Sequence, residues 1–301
     1  MQVEDHWAVI CNTLESEDAA QLAAAEKCAQ ELNEKVKTDK PVEKPKILAF
    51  KESERIAPYL FAVVGGPYEK FVNPPSEKFP PLRIWARKSL VGCVNAPEFF
   101  KVTMAGIEYY TEFFGQEFPF SKYDQVFAPE FNCGAMENVG CVTYNEGYLY
   151  RGQVPTRSQI DRFSITILHE LAHQWFGNLV TMRWWDDLWL NESFATFMSI
   201  LAQHYGKGLD DYTTGWLIFG GYKNWGINTD LLSTTHPVST DCVHTDDAEN
   251  IFDGISYGRG ASFLKLLVFQ IGEDALSAGM RIYFKRHAWG NTELPDFVRA
   301  L

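Results

Sequence analysis

Five residues in the second half of the chain, His169-Glu170-Leu171-Ala172-His173, put two imidazoles and a carboxylate at a spacing that suits a metal ion. On a helix, positions i and i+4 lie about 40° apart, so both rings can point at one cation. Zinc takes two neutral imidazoles and one carboxylate, and keeps a fourth position open for water. Glu170 neighbours the first imidazole but sits on a different part of the helix surface. It can touch a bound water instead of the metal, which is where a general base must be. A carboxylate is still needed, and Glu192 supplies one at the opening of the next expected helix. If that helix runs antiparallel to the first, its first turn faces the two histidines. A chance pentapeptide with two half-buried histidines would not require the apolar positions Ile165, Ile167, Leu168 and Leu171 around it, whereas a buried zinc site would.

These residues need two firm helices. Ser158 can cap a helix that runs to about Phe176, with Gly177 just beyond its end. The tryptophan-rich stretch 183–190 leads to Asn191, a good N-cap, and a second helix then runs to about Tyr205 and stops at Gly206. Asp186 or Asp187 could orient a ligand imidazole from behind, or could cap that helix. Residues 210–250 read as loop-rich and acidic near their end, and Tyr257–Gln270 and Asp274–Ala288 as two further helices. The first half carries strand signals at 6–12, Ile56–Val64 and Leu82–Arg87, then at Asp124–Val126 and Val142–Tyr144. A helix is expected over about 17–36, and another from Pro97 to Phe114, stopped by Gly115. His204 is expected on an exposed helix end, His236 and His244 in loops, and Trp184, Trp185 and Trp189 in packing around the site. The architecture is α+β, a small mixed sheet followed by a helical half.

With those elements in place the chain becomes familiar. His169–His173 with Glu192 resembles the HExxH-x18-E signature of the zinc aminopeptidases related to aminopeptidase N, puromycin-sensitive aminopeptidase and leukotriene hydrolase. Gly134-Ala135-Met136-Glu137-Asn138 resembles their GAMEN exopeptidase motif. Residues 184–192 resemble the segment entering the third ligand, and residues 255–262 the block carrying a catalytic tyrosine. The resemblance implies one zinc per chain on His169, His173 and Glu192, with Glu170 as general base acting on a zinc-bound water. It makes Tyr257 the oxyanion donor and Glu137 the partner of the substrate's α-ammonium group. Gly134, Ala135, Met136 and Asn138 belong to the same substrate-binding motif, with Gly134-Ala135 aligning the peptide backbone. It further implies a thermolysin-like catalytic domain over residues 68–301, preceded at 1–67 by the remnant of a β-sandwich with an acidic helical insertion at about 13–45. Ser193 stands where the family often has glycine, and Gly258-Arg259 replaces its more usual pair after the tyrosine.

The activity expected is removal of the N-terminal residue from peptides with a free N-terminus. An epoxide hydrolase like leukotriene hydrolase is the alternative, although Ala135 departs from the Gly-Gly-Met-Glu-Asn of that branch. A weak, truncated zinc-binding fragment is another. The 301 residues carry a formal charge of −12 with pI about 5.1 and no basic stripe, which argues against nucleic acid as a partner. A hydrophobic fraction of 46% with 15% aromatics fits a chain with a thick core. The six cysteines are scattered without a CxxC pair and read as mostly free thiols in a reducing compartment. No membrane segment is evident, and the expected location is cytoplasmic if Met1 is the true start.

Overall fold

The computed structural model describes residues 2–4, 6–35, 45–152 and 154–301, so residues 36–44 of the expected insertion lie outside the described residues. The chain divides into two compact units, Met1–Val94 with Phe120–Arg151, and Asn95–Pro119 with Gly152–Leu301. The first unit holds most of the β-structure. Its strands are β1 (Gln2–Glu4), β2 (Ala8–Cys11), β3 (Pro45–Ile47), β4 (Val63–Gly66), β5 (Tyr68–Val72), β6 (Leu82–Arg87), β7 (Tyr123–Ala128), β8 (Ala135–Met136) and β9 (Cys141–Asn145), with helix α1 (Ala19–Lys35) between β2 and β3. Five of the strands make one mixed sheet in the order β5-β6-β7-β9-β8. The pairs β6–β7 and β7–β9 are parallel, while β5 and β8 pair antiparallel to their neighbours.

Central strand β7 is buried at all positions but its last, as a strand covered on both faces must be, whereas edge strand β5 exposes Glu69, Lys70 and Val72. Ile10, Tyr68, Trp85, Val126 and Cys141 form an apolar cluster against this sheet. Beside it lies a buried cation. The Lys122 ammonium is wholly buried and donates to the carbonyls of Cys11 and Gly140 and, at 2.7 Å, to Asp124. Asp124 also receives both arms of the Arg83 guanidinium at 2.6 and 2.7 Å, so its charge is matched twice. One expectation fails here. Ile56–Val64 is not a single strand, because Pro58 opens a 3-10 turn over Pro58–Leu60 and pairing begins only at Val63.

The second unit is helical: α2 (Ala96–Phe114), α3 (Arg157–Ala172), α4 (Leu188–Tyr205), α5 (Gly215–Asp230), α6 (Thr245–Asn250), α7 (Gly260–Ile271), α8 (Glu273–His287) and α9 (Leu294–Ala300). A short parallel pair, β10 (Val180–Met182) with β11 (Gly290–Thr292), ties the α3–α4 connection to the region after α8. The core is aromatic. Phe176 stacks on Phe194 at 4.2 Å between ring centroids, and Phe114 meets Phe284 at 4.9 Å. The Tyr110 hydroxyl donates to the Leu168 carbonyl at 2.8 Å, pinning α2 against the turn of α3 that precedes His169. α2 ends as expected, with Gly115 left-handed at φ +60°.

Three boundaries differ from the sequence reading. The cap of α3 is Thr156, not Ser158: its hydroxyl accepts the Gln159 amide while the Gln159 side chain accepts the Thr156 amide. α3 also stops at Ala172 instead of Phe176, and a tight turn follows. α4 begins three residues before Asn191, so Asn191 is a buried interior residue and Glu192 lies more than a turn into the helix. The stretch 210–250, read as loop-rich, holds the helices α5 and α6. α5 was hidden by its glycines at 215, 220, 221 and 226, which weaken both helix propensity and any apolar periodicity. No helix among the described residues is long and apolar enough to cross a membrane.

Candidate active site

α3 delivers His169 from its last turn, and His173 is the residue at its C-terminus, still helical at φ −60° and ψ −24°. That one residue of retained helix keeps the i, i+4 relation although the helix proper has ended. α4 packs against α3 and brings Glu192 from the other side. The three donor atoms converge. His169 Nε2 and His173 Nε2 are 3.0 Å apart, and Glu192 Oε2 lies 3.2 and 3.5 Å from them. They form the one group of its kind among the described residues, and all three side chains are buried. Tetrahedral ligands at zinc distances of about 2.0–2.1 Å are themselves about 3.3 Å apart, so the observed spacing fits that ion.

The outer ring nitrogens show why the site favours a cation. His173 Nδ1 faces the Phe176 carbonyl at 3.2 Å, an oxygen that only accepts, so this nitrogen carries the proton and Nε2 presents a lone pair. His169 Nδ1 faces the Thr196 hydroxyl at 3.4 Å. Burial pushes the His169 imidazole below its ordinary range, which keeps it neutral at neutral pH as a metal ligand must be. Burial works to raise the Glu192 carboxyl, but protons on the facing imidazoles of His173 and His169 outweigh it when no ion is bound and hold Glu192 below the usual carboxylate range, the part that a metal cation takes once the rings are neutral. Two nitrogen lone pairs and an anionic oxygen within 3.5 Å of each other repel unless a positive ion lies among them. The residues fit zinc. Glu170, one position after the first ligand, is itself only 5% exposed, and its backbone carbonyl accepts from the Gln174 side chain.

Tyr257 reaches the same neighbourhood from a different element. Residues Ile255–Arg259 form a single π-helical turn ahead of α7, not the plain start of an α-helix. The Tyr257 ring lies nearly parallel to His169 at 6.0 Å and to Trp225 of α5 at 5.7 Å. Ser193 links this turn to the ligand helix, since its hydroxyl donates to the Ser256 carbonyl. The position that glycine often occupies in the resembling family is therefore used here for a hydrogen bond.

In the first unit, Gly134–Asn138 form the outer edge of the five-stranded sheet. Ala135 and Met136 are β8, paired with Tyr144 and Thr143 of β9. The Asn145 amide donates to the Gly134 carbonyl at 2.9 Å, and the Asn138 side chain donates to the Thr143 hydroxyl at 3.2 Å. Glu137 and Asn138 are 5% and 7% exposed.

A model of the peptidase family M1 domain matches residues 99–301. The chain belongs to peptidase family M1. It is similar to aminopeptidase N of Streptomyces lividans, 44% identical over 264 residues that cover 87% of this chain. It is also 36% identical to tricorn protease-interacting factor F2 of Thermoplasma volcanium over 85% of its length. Aminopeptidase M1-D of Oryza sativa stands at the same identity and the same share of this chain. The M1 chain spans only 31%, 32% and 29% of those three relatives' lengths.

Several side chains around this M1 site were misjudged or missed in the sequence. Neither Asp186 nor Asp187 backs a ligand imidazole: Asp186 accepts the Cys242 amide at 2.6 Å and Asp187 the Leu294 amide at 3.0 Å. Asp187 sits at the N-terminus of α4 but makes no side-chain cap. Trp189 is buried, while Trp184 is 44% exposed and hydrogen-bonds the Cys242 carbonyl. His204 is exposed as expected, and His236 contacts Asp253. Thr196 was legible, since it lies four residues after Glu192 and so on the same helix face. The Phe176 carbonyl and Trp225 left no signal, because the first is main chain and the second lies in the stretch read as loop-rich.

Proposed function

We propose that this chain is the zinc-dependent catalytic portion of an aminopeptidase that removes the N-terminal residue from peptides. The observation that carries this is the buried convergence of His169, His173 and Glu192 in a chain of peptidase family M1. The reading takes residues 68–301 as a thermolysin-like catalytic domain and 1–67 as the end of a β-sandwich. The six unpaired cysteines support a reducing, cytoplasmic setting.

When bound, zinc would act as a Lewis acid and bring the pKa of a coordinated water towards neutrality. The chain's own residues do the rest. Glu170 takes the proton of the attacking water and returns it to the leaving amine. Tyr257 donates its hydroxyl hydrogen to the oxygen that gains charge as the first peptide carbonyl becomes tetrahedral. Glu137 accepts the α-ammonium of the substrate, which restricts cleavage to the first bond. Edge strand β8, with Gly134, Ala135 and Met136, offers backbone groups along which an extended peptide can align, because edge strands leave one side of the ladder open. Asn138 holds the bend after β8 through Thr143.

The test is turnover of aminoacyl fluorogenic substrates by the parent and by Glu170→Gln, with and without chelator. We expect the variant to retain zinc and to lose roughly 10² to 10⁴ in rate, the usual share of a positioned base. A Gln variant as fast as the parent sinks the mechanism. Equal cleavage of N-acetylated and free peptides would replace the aminopeptidase by an endopeptidase.

A further inference from the structure

The π-helical turn that carries Tyr257 is held from behind by a pair of residues that no other part of the site uses. Asp253 precedes the turn and works with both carboxylate oxygens. Its Oδ1 accepts the amides of Ile255 and Ser256 at 2.8 and 3.2 Å, and its Oδ2 meets His236 Nε2 at 3.1 Å. Its own carbonyl accepts the Tyr257 amide at 3.1 Å. The His236 ring is anchored in turn, with Nδ1 at 2.7 Å from the Pro237 carbonyl. The two side chains are largely withdrawn from solvent, at 15% and 22% exposure. The loop that carries His236 is fastened to the far side of the same turn. Arg259 donates to Asp230 at 2.8 Å and reaches the His236 carbonyl at 3.5 Å.

On its other flank the turn lies against α5 so closely that a Cβ at Gly258 would run into the Tyr222 carbonyl. α5 packs on one side of the turn and Ser193 ties down the Ser256 carbonyl, which leaves the amides of Ile255 and Ser256 at its start to be held. The Asp253 carboxylate caps both of them.

We propose that His236 and Asp253 are positioning residues for Tyr257. His236 holds the Asp253 carboxylate so that its other oxygen caps the turn and aims the phenol at the reacting carbonyl. This rests on the reading of Tyr257 as the oxyanion donor. A π turn is a poor intrinsic conformer, so a side-chain cap at its start has more to do than it would on an ordinary helix. An oxyanion donor also loses much of its effect when it is displaced by about 1 Å.

The experiment compares parent, Asp253→Ala, Asp253→Asn, His236→Ala and Tyr257→Phe in the full chain. Its readouts are steady-state rates on an aminoacyl fluorogenic substrate, zinc content, and ¹⁹F spectra of protein carrying 3-fluorotyrosine. Tyr257→Phe identifies the Tyr257 line by its disappearance. Asp253→Ala and His236→Ala should shift or broaden that line and leave the other tyrosines unmoved. They should lower kcat by roughly tenfold or more, with KM within about twofold and zinc unchanged. Asp253→Asn, which keeps an acceptor for the two amides, should recover part of the loss, and it stands in if the Ala variant does not fold. In the Tyr257→Phe background the same substitutions should cost no further rate, because they act through the phenol.

An unmoved Tyr257 line, or an equal loss of rate with and without the phenol, overturns the proposal. If the line moves but Tyr257→Phe is as fast as the parent, the positioning stands and the oxyanion role of Tyr257 falls.

Discussion

Glu192 is the proposed ligand whose removal separates metal binding from folding most cleanly. It is buried, its carboxylate faces two imidazoles, and no other carboxylate joins them in that group. Glu192→Ala leaves two nitrogens, too few for a closed zinc site, so metal analysis of the purified variant should show zinc well below one per chain. Undiminished zinc would remove Glu192 from the ligand set. Glu137 belongs to the same scale. A charge-assisted hydrogen bond to an α-ammonium at a buried carboxylate is worth about 1.5–3 kcal/mol. Glu137→Ala should therefore lower kcat/KM on free N-terminal substrates at least about tenfold. Its zinc content should stay that of the parent, and a parental kcat/KM would take Glu137 out of substrate binding.

Between elements, the site depends on how closely α2 approaches α3. Gly106 sits where a Cβ would come within 2.6 Å of both Leu168 Cδ2 and Leu171 Cδ2, and those leucines are fully buried on either side of His169. The leucine tips cannot swing into solvent, so α2 must move outward or the leucines leave their rotamers. Gly106→Ala gains helix propensity but should still destabilise the protein by about 1–3 kcal/mol, the usual cost of overpacking a filled core. Thermal unfolding measures this, and a raised midpoint would show that α2 yields easily. Because the strain falls on the residues flanking the first ligand, zinc affinity should weaken in the same variant.

On the scale of the molecule, the two units rest on different chemistry. The helical unit is held by interlocked aromatic rings around Phe176 and Phe194, and the sheet unit by apolar packing beside a buried ionic group. Lys122→Ala would strip the donor from the Cys11 and Gly140 carbonyls and leave Asp124 with Arg83 alone. Removing one member of a buried ionic set typically costs about 3–5 kcal/mol, and the remaining Arg83 places this case near the lower end. Urea unfolding followed by tryptophan fluorescence should show an early transition in the variant. A midpoint equal to the parent's would mean that the lysine is replaceable by water.

The sequence alone determined what depends on local spacing and residue chemistry. His169 and His173 keep their i, i+4 relation although α3 ends at Ala172, because His173 retains helical backbone angles. Motif order likewise pointed to Glu192 as the carboxylate that joins the two histidines, and it does so although α4 starts earlier than Asn191 suggested. The strand Leu82–Arg87 was legible between its flanking turn residues, and Asp124–Val126 and Val142–Tyr144 marked the middles of two more, which run over Tyr123–Ala128 and Cys141–Asn145. Tertiary structure alone decided the rest. α5 has no clear apolar stripe, and of its four glycines it is Gly226 that lies against the backbone of the Tyr257 turn, where a Cβ would meet the Arg259 amide and the Gly254 carbonyl. The Phe176 carbonyl orients His173 through a main-chain atom, for which no residue type gives a sign. His236 and Asp253 stand seventeen residues apart in the chain and meet only when the loop after α5 folds back on the π turn. Contacts of that kind are set by chain path and not by local preference, so a single sequence carries no period or motif that announces them.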